Sequence, residues 1–132
     1  MLLVDTNVLV DVLQDEPQWA EWSIGQLRAQ AKVHELAINP IIYAEMSLSF
    51  STIEGLDAVV TQMELTVREI PKPALFLAAK AFAQYRRRGG NKTQVLPDFF
   101  IGAHAAVQGW PLLTRDASRF RTYFPSLEVL AP

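Results

Sequence analysis

Residues 1–14 read MLLVDTNVLVDVLQ, and the change of period inside this stretch decides the fold. Residues 1–4 are an unbroken apolar run, as in a strand buried on both faces, after which Val8, Leu9, Val12 and Leu13 recur at helical spacing. Asp5, Thr6 and Asn7 fall at the junction. An acid placed there is either a helix cap or a ligand.

The same alternation continues along the chain. Short apolar runs at 35–38, 65–70, 112–114 and 127–130 predict strands, and amphipathic stretches at 6–15, 18–32, 40–50, 52–63, 73–87 and 97–107 predict helices. Asn39 followed by Pro40 reads as a helix start, while Gly89 with Gly90, and later Gly109, read as stops. Strands alternating with helices predict a parallel sheet covered on both faces, and in such sheets ligands bind beyond the carboxyl ends of the strands. Asp5 would stand at that place.

With 132 residues, half of them hydrophobic, residues 1–132 are expected to form one domain around one core. The absence of cysteine excludes disulfides and thiolate metal sites. Asp5 and Asp11 interrupt the opening apolar run, so no signal peptide is expected, and no stretch reaches the roughly 20 apolar residues of a membrane span. The expectation is a soluble cytoplasmic protein with no membrane partner. A net charge of -2 hides an asymmetry: residues 1–79 carry four Lys or Arg against eleven Asp or Glu, and residues 80–132 carry eight against three. The basic part is suited to a polyanion or is simply a solvated surface.

Four acids stand out. Asp116, in LLTRDASRF, follows a short apolar strand as Asp5 does, with a turn start as the alternative. Asp98, in PDFFIGAHA, lies in the first turn of a helix with almost no polar face. Glu45 has Ile41, Ile42, Leu48 and Ser49 as its helical neighbours and so shares a face with aliphatic side chains. If all four gathered within about 5 Å, each ionised pair would repel by about 3 kcal/mol at an effective dielectric of about 20. Such a group needs protons or a hard cation, and an oxygen-only donor set favours Mg2+ or Mn2+ over zinc.

DTNVLVD at the start, Glu45 in IIYAEM, PDFFIGAHA and LLTRDASRF, in this order, resemble the PIN-domain ribonucleases, specifically the VapC toxins of bacterial toxin-antitoxin pairs. The resemblance implies an α/β fold, a three-layer α-β-α sandwich with a central parallel sheet. It implies that Asp5, Glu45, Asp98 and Asp116 are the catalytic and metal-binding residues, with Thr6, Asn7 and Thr114 in support. It further implies an Mg2+- or Mn2+-dependent endoribonuclease that leaves 5'-phosphate and 3'-hydroxyl ends, that forms a homodimer, and that is neutralised by a cognate VapB-type antitoxin.

Arg86, Arg87, Arg88 and Lys92, with Arg115 and then Arg119 and Arg121, are candidates to line a path for the phosphate backbone of single-stranded or looped RNA. The RRR run is equally a solvated helix terminus. His104 is about 120° round its helix from Asp98 and is expected to pack or to meet a partner, and His34 to be a surface residue. Trp19, Trp22, Ile24 and Leu27, and later Leu48, Phe50, Ile53 and Leu56, serve either the core or a partner groove. A phospho-acceptor domain lacks its strand-end Asp and Lys here, and a dehalogenase-type phosphatase would need an acid at Asn7. The remaining rival is a catalytically silent PIN fold acting as an antitoxin-binding regulatory module.

Overall fold

The computed structural model describes residues 1–132. Five strands, β1 (Leu2–Val4), β2 (Leu36–Ile38), β3 (Thr66–Val67), β4 (Leu112–Leu113) and β5 (Val129–Leu130), form one sheet. Their order is β3-β2-β1-β4-β5 and every pairing is parallel. Leu2, Leu3 and Val4 are all at 0% exposure. Successive strand side chains point to opposite faces, so both faces are covered and the layered α-β-α expectation holds.

Seven helices make the cover: α1 (Thr6–Leu13), α2 (Ala20–Ala31), α3 (Pro40–Ser47), α4 (Ile53–Gln62), α5 (Lys72–Arg87), α6 (Leu96–Gln108) and α7 (Ser118–Tyr123). α5 packs along α6, and α1 contacts both α2 and α3. The chain lays down β1, β2 and β3 outward in one direction, then returns to place β4 on the other side of β1. The order reverses between β1 and β4, which is the switch point where open α/β sheets form their crevice.

Besides ending α3 at Ser47 rather than 50, the structure departs from the sequence reading in three places. α2 starts at Ala20 rather than 18, because the Glu16 carboxylate accepts the N–H groups of Gln18 and Trp19 (2.9 and 2.6 Å) and holds Pro17 in a separate turn. The strand expected at 65–70 shrinks to two residues at the sheet edge, where it has one neighbour and Val67 is exposed. The third departure is α7, which was not predicted. It docks where α6 has no side chain: a Cβ on Gly102 would come within 2.5 Å of the Phe124 ring and 3.0 Å of Phe120. No helix is long and apolar enough to cross a membrane.

Candidate active site

The loops after β1 and β4 meet beyond the carboxyl ends of these two central strands. Asp5 Oδ1 accepts the Thr6 N–H at 2.8 Å and caps α1, so the cap alternative is realised on one oxygen. Its Oδ2 accepts the Thr114 hydroxyl, also at 2.8 Å. Thr114 Oγ1 in turn accepts the Asp116 N–H at 3.2 Å, and Asn7 Oδ1 accepts the Arg115 N–H at 3.2 Å. Residues 5–7 and 114–116 are thereby stitched together. The three expected supporting residues all lie in this seam, since Thr6 donates its hydroxyl to Glu45 Oε1 at 2.6 Å and so ties α3 to the first loop.

Glu45 reaches the seam because Asn39 caps α3 by accepting the Ile42 N–H at 2.9 Å, which fixes where the helix begins. Its apolar surroundings differ from those expected: Ile42 is buried, but α3 ends at Ser47 and Leu48 is 90% exposed. Asp98 enters from the first turn of α6, and its Oδ2 accepts from Arg119 Nη1 of α7 at 2.7 Å. Asp116 is exposed.

The four carboxylates act on one another. Burial pushes the Asp5 carboxyl up to about 7, with the charges of Asp98 and Glu45 adding to the rise and the bonds from Thr114 and Thr6 opposing it. Asp98 is also raised, by burial first and by Glu45 and Asp116, against the Arg119 guanidinium. No three Asp, Glu or His side chains are arranged to hold a metal ion as they stand. Glu45 is turned to Thr6, and Asp98 to Arg119. A buried acid with neighbouring acids and no cation of its own, among oxygen donors only, nevertheless suits a hard divalent ion.

Sequence reasoning missed a second buried acid. Asp11 is 2% exposed and makes a two-pronged pair with Arg115, Nε to Oδ2 at 2.9 Å and Nη2 to Oδ1 at 3.0 Å, while Ser23 donates to Oδ2 at 3.1 Å. The Arg115 guanidinium also lies over Trp19, 5.5 Å from the ring centre. Arg115, expected on a phosphate path, is thus committed to holding the β4 loop against α1. The signal was available, because Asp11 shares a helix face with the buried Val8 just as Glu45 shares one with Ile42. Arg86, Arg87, Arg88 and Lys92 are exposed.

His104 is wholly buried, with Nδ1 3.2 Å from Asn39 Nδ2 and its ring 5.2 Å from Trp110. Burial and the charge of Arg68 lower its pKa to about 4, so it is a neutral packing residue that accepts from the α3 cap. His34 is half-buried at the edge of the fold. Among the apolar candidates Leu27 and Leu56 belong to the core, whereas Ile53 is 61% exposed beside a groove that Tyr43 and Phe50 also line.

Fold and acids together define an α/β protein with an acidic crevice at its switch point. The sequence matches the PIN domain family over residues 2–124, and the chain belongs to that family. No curated protein matches it at a significant level. Among solved structures it is similar to VapBC2 from Rickettsia felis bound to a DNA fragment from their promoter (TM-score 0.74, 18% identity, 98% of this chain and 97% of that one). It is also similar to DNA-bound VapBC from Salmonella typhimurium (0.72, 20%, 99% and 98%) and to VapBC-1 from nontypeable Haemophilus influenzae (0.74, 15%, 98% and 96%).

Proposed function

We propose that this protein is a metal-dependent endoribonuclease toxin that hydrolyses RNA phosphodiester bonds and is held in check by a cognate VapB-type antitoxin. The observation that carries the proposal is the convergence on one seam of Asp5, buried and bonded by Thr6 and Thr114, with Glu45, which accepts from Thr6, and with Asp98, whose charge reaches Asp5. Family membership and the toxin-antitoxin complexes among its structural neighbours support the same reading. Asp5, Glu45, Asp98 and Asp116 would hold Mg2+ or Mn2+. Such an ion would lower the pKa of a water and offset the charge that develops on the phosphoryl oxygens. Thr114 and Thr6 orient Asp5 and Glu45, and the Asp11–Arg115 pair fixes the loop that presents Asp116. Arg86, Arg87, Arg88 and Lys92 attract the RNA backbone. No serine, cysteine or histidine is needed as a covalent nucleophile.

Total RNA incubated with the purified protein and Mg2+ or Mn2+, against EDTA and Asp98→Asn controls and with the new 5' ends sequenced, tests this. Defined cuts that vanish in both controls are expected. No cuts, or cuts that survive Asp98→Asn, would sink the nuclease. One observation favours the silent regulatory module as a second reading: Arg119 already occupies Asp98 with a positive charge.

A further inference from the structure

A pocket of about 380 Å3 lies between the end of α5 and α7, lined by Tyr85, Asp116, Ser118, Arg119, Thr122 and Tyr123. Asp116 belongs to the acid group and Arg119 is bonded to Asp98, so the pocket opens onto the acids. We propose that it is a subsite for one unpaired base of a single-stranded RNA, stacked against Tyr123 with the Tyr85 ring at its edge, beside the phosphate to be cut. This inference rests on the nuclease reading above.

The volume falls in the range of about 300 to 1,000 Å3 that encloses small organic ligands. Its chemistry is that of a base with its polar edge, since aromatic rings form one wall while Ser118, Thr122, Arg119 and Asp116 supply hydrogen-bonding groups. Both tyrosines are half-buried, whereas the adjoining Phe99 is fully buried, so these rings reach beyond the core they adjoin. They are also held in place. Tyr85 stacks on Phe82 at 5.9 Å, and the Gly90 backbone packs against its ring closely enough that a Cβ there would come within 2.4 Å. Tyr123 is braced by Phe99 at 5.3 Å and by Tyr85 at 6.0 Å. Rings fixed before binding lose little freedom when a base stacks on them.

The cationic turn after α5 covers the same wall. Arg88 sits 5.4 Å over the Tyr123 ring, and the Lys92 N–H donates to the Tyr85 hydroxyl at 3.2 Å. Positive charge beside a stacking platform is how sequence-tolerant single-strand sites are built. A base inside a duplex already has both faces stacked and cannot enter, so the occupant must be unpaired.

Anisotropy of fluorescein-labelled hexauridylate, and of an RNA duplex of equal length, measured with the full chain in Ca2+, tests the subsite. Two variants are compared with the parent: Tyr123→Leu, which removes the ring, and Thr122→Met, which fills the pocket with a non-aromatic chain from an exposed position and spares the core. Both are expected to weaken hexauridylate binding about tenfold or more. Mn2+ binding by calorimetry should stay at the parent value, and the duplex should bind more weakly than the single strand. Variants that bind hexauridylate as the parent does overturn the subsite, as does a parent that prefers the duplex. RNA cutting by the parent is scored separately. Absent cutting with Tyr123-dependent binding overturns the nuclease and supports the subsite; cutting with Tyr123-independent binding overturns the subsite alone.

Discussion

Asp5 and His104 are two buried groups whose titrations oppose each other. In the fold Asp5 keeps its proton up to about pH 7, whereas the unfolded chain releases it near 3.8. Its contribution to stability is therefore full below 3.8 and is lost as pH rises through 7. His104 stays neutral in the fold down to about 4 while the unfolded chain protonates it near 6.5, so its effect is to lower stability as pH falls from 6.5 to 4. Between those values the two slopes oppose each other in the parent, and the raised Asp98 acts in the same sense as Asp5. In urea titrations without divalent ions, Asp5→Asn should give a stability that rises more with pH than the parent's over this interval, by at most about 1.4 kcal/mol per pH unit. His104→Asn should leave one that falls, and parallel profiles would refute the assignment. Arg115→Ala strands the buried Asp11 charge and should cost about 2 to 4 kcal/mol by chemical denaturation, most of it recovered when Asp11→Leu is combined with Arg115→Met. The four acids were legible because strand ends and an apolar helix face gave each an unusual place. Asp11 carried a sign of the same kind in its place beside Val8, but its partner, 104 residues away, left no local mark.

Helix ends show what local sequence carries and what it does not. α5 and α6 finish in left-handed residues, Gly89 and Gly109, which composition alone announced. α1 and α4 finish the same way through Asp15 (φ 47°) and Glu64 (φ 54°), residues that give no such warning. α7 was missed for another reason. Six residues cannot sustain a helix on propensity alone, and this one exists because Phe120 and Phe124 dock against Gly102. Gly102→Ala should therefore be destabilising despite alanine's better helix propensity. The 2.5 Å approach to Phe124 outweighs a propensity gain of about 0.5 to 1 kcal/mol, leaving a net loss of about 1 to 2 kcal/mol in urea unfolding. The same substitution should disturb the Arg119–Asp98 pair, visible as altered Mn2+ affinity.

Over the whole molecule the charge asymmetry of the sequence becomes spatial. The acid-rich first part supplies β1, β2 and β3, the base-rich remainder supplies β4 and β5, and the crevice lies where β1 meets β4. A cation bound among acids that repel one another stabilises the fold by mass action, by about 2.7 kcal/mol at a hundredfold excess over its Kd. Mn2+ should accordingly raise the melting temperature of the parent by calorimetry, NaCl of equal ionic strength should not, and Asp98→Asn should abolish the effect. The alternation of elements made the parallel sheet readable from sequence, but not the strand order, which depends on how the chain returns after β3. That return also sets a clock. The Thr114–Asp5 hydrogen bond joins residues 109 positions apart, and β4 takes the seat beside the first strand only after β2, β3 and the helices between have been made. A ribosome adding about 5 to 20 residues per second carries Asp5, Glu45 and Asp98 for seconds before Asp116 exists. Whatever the four acids do together, a growing chain cannot do it until residue 116 is made.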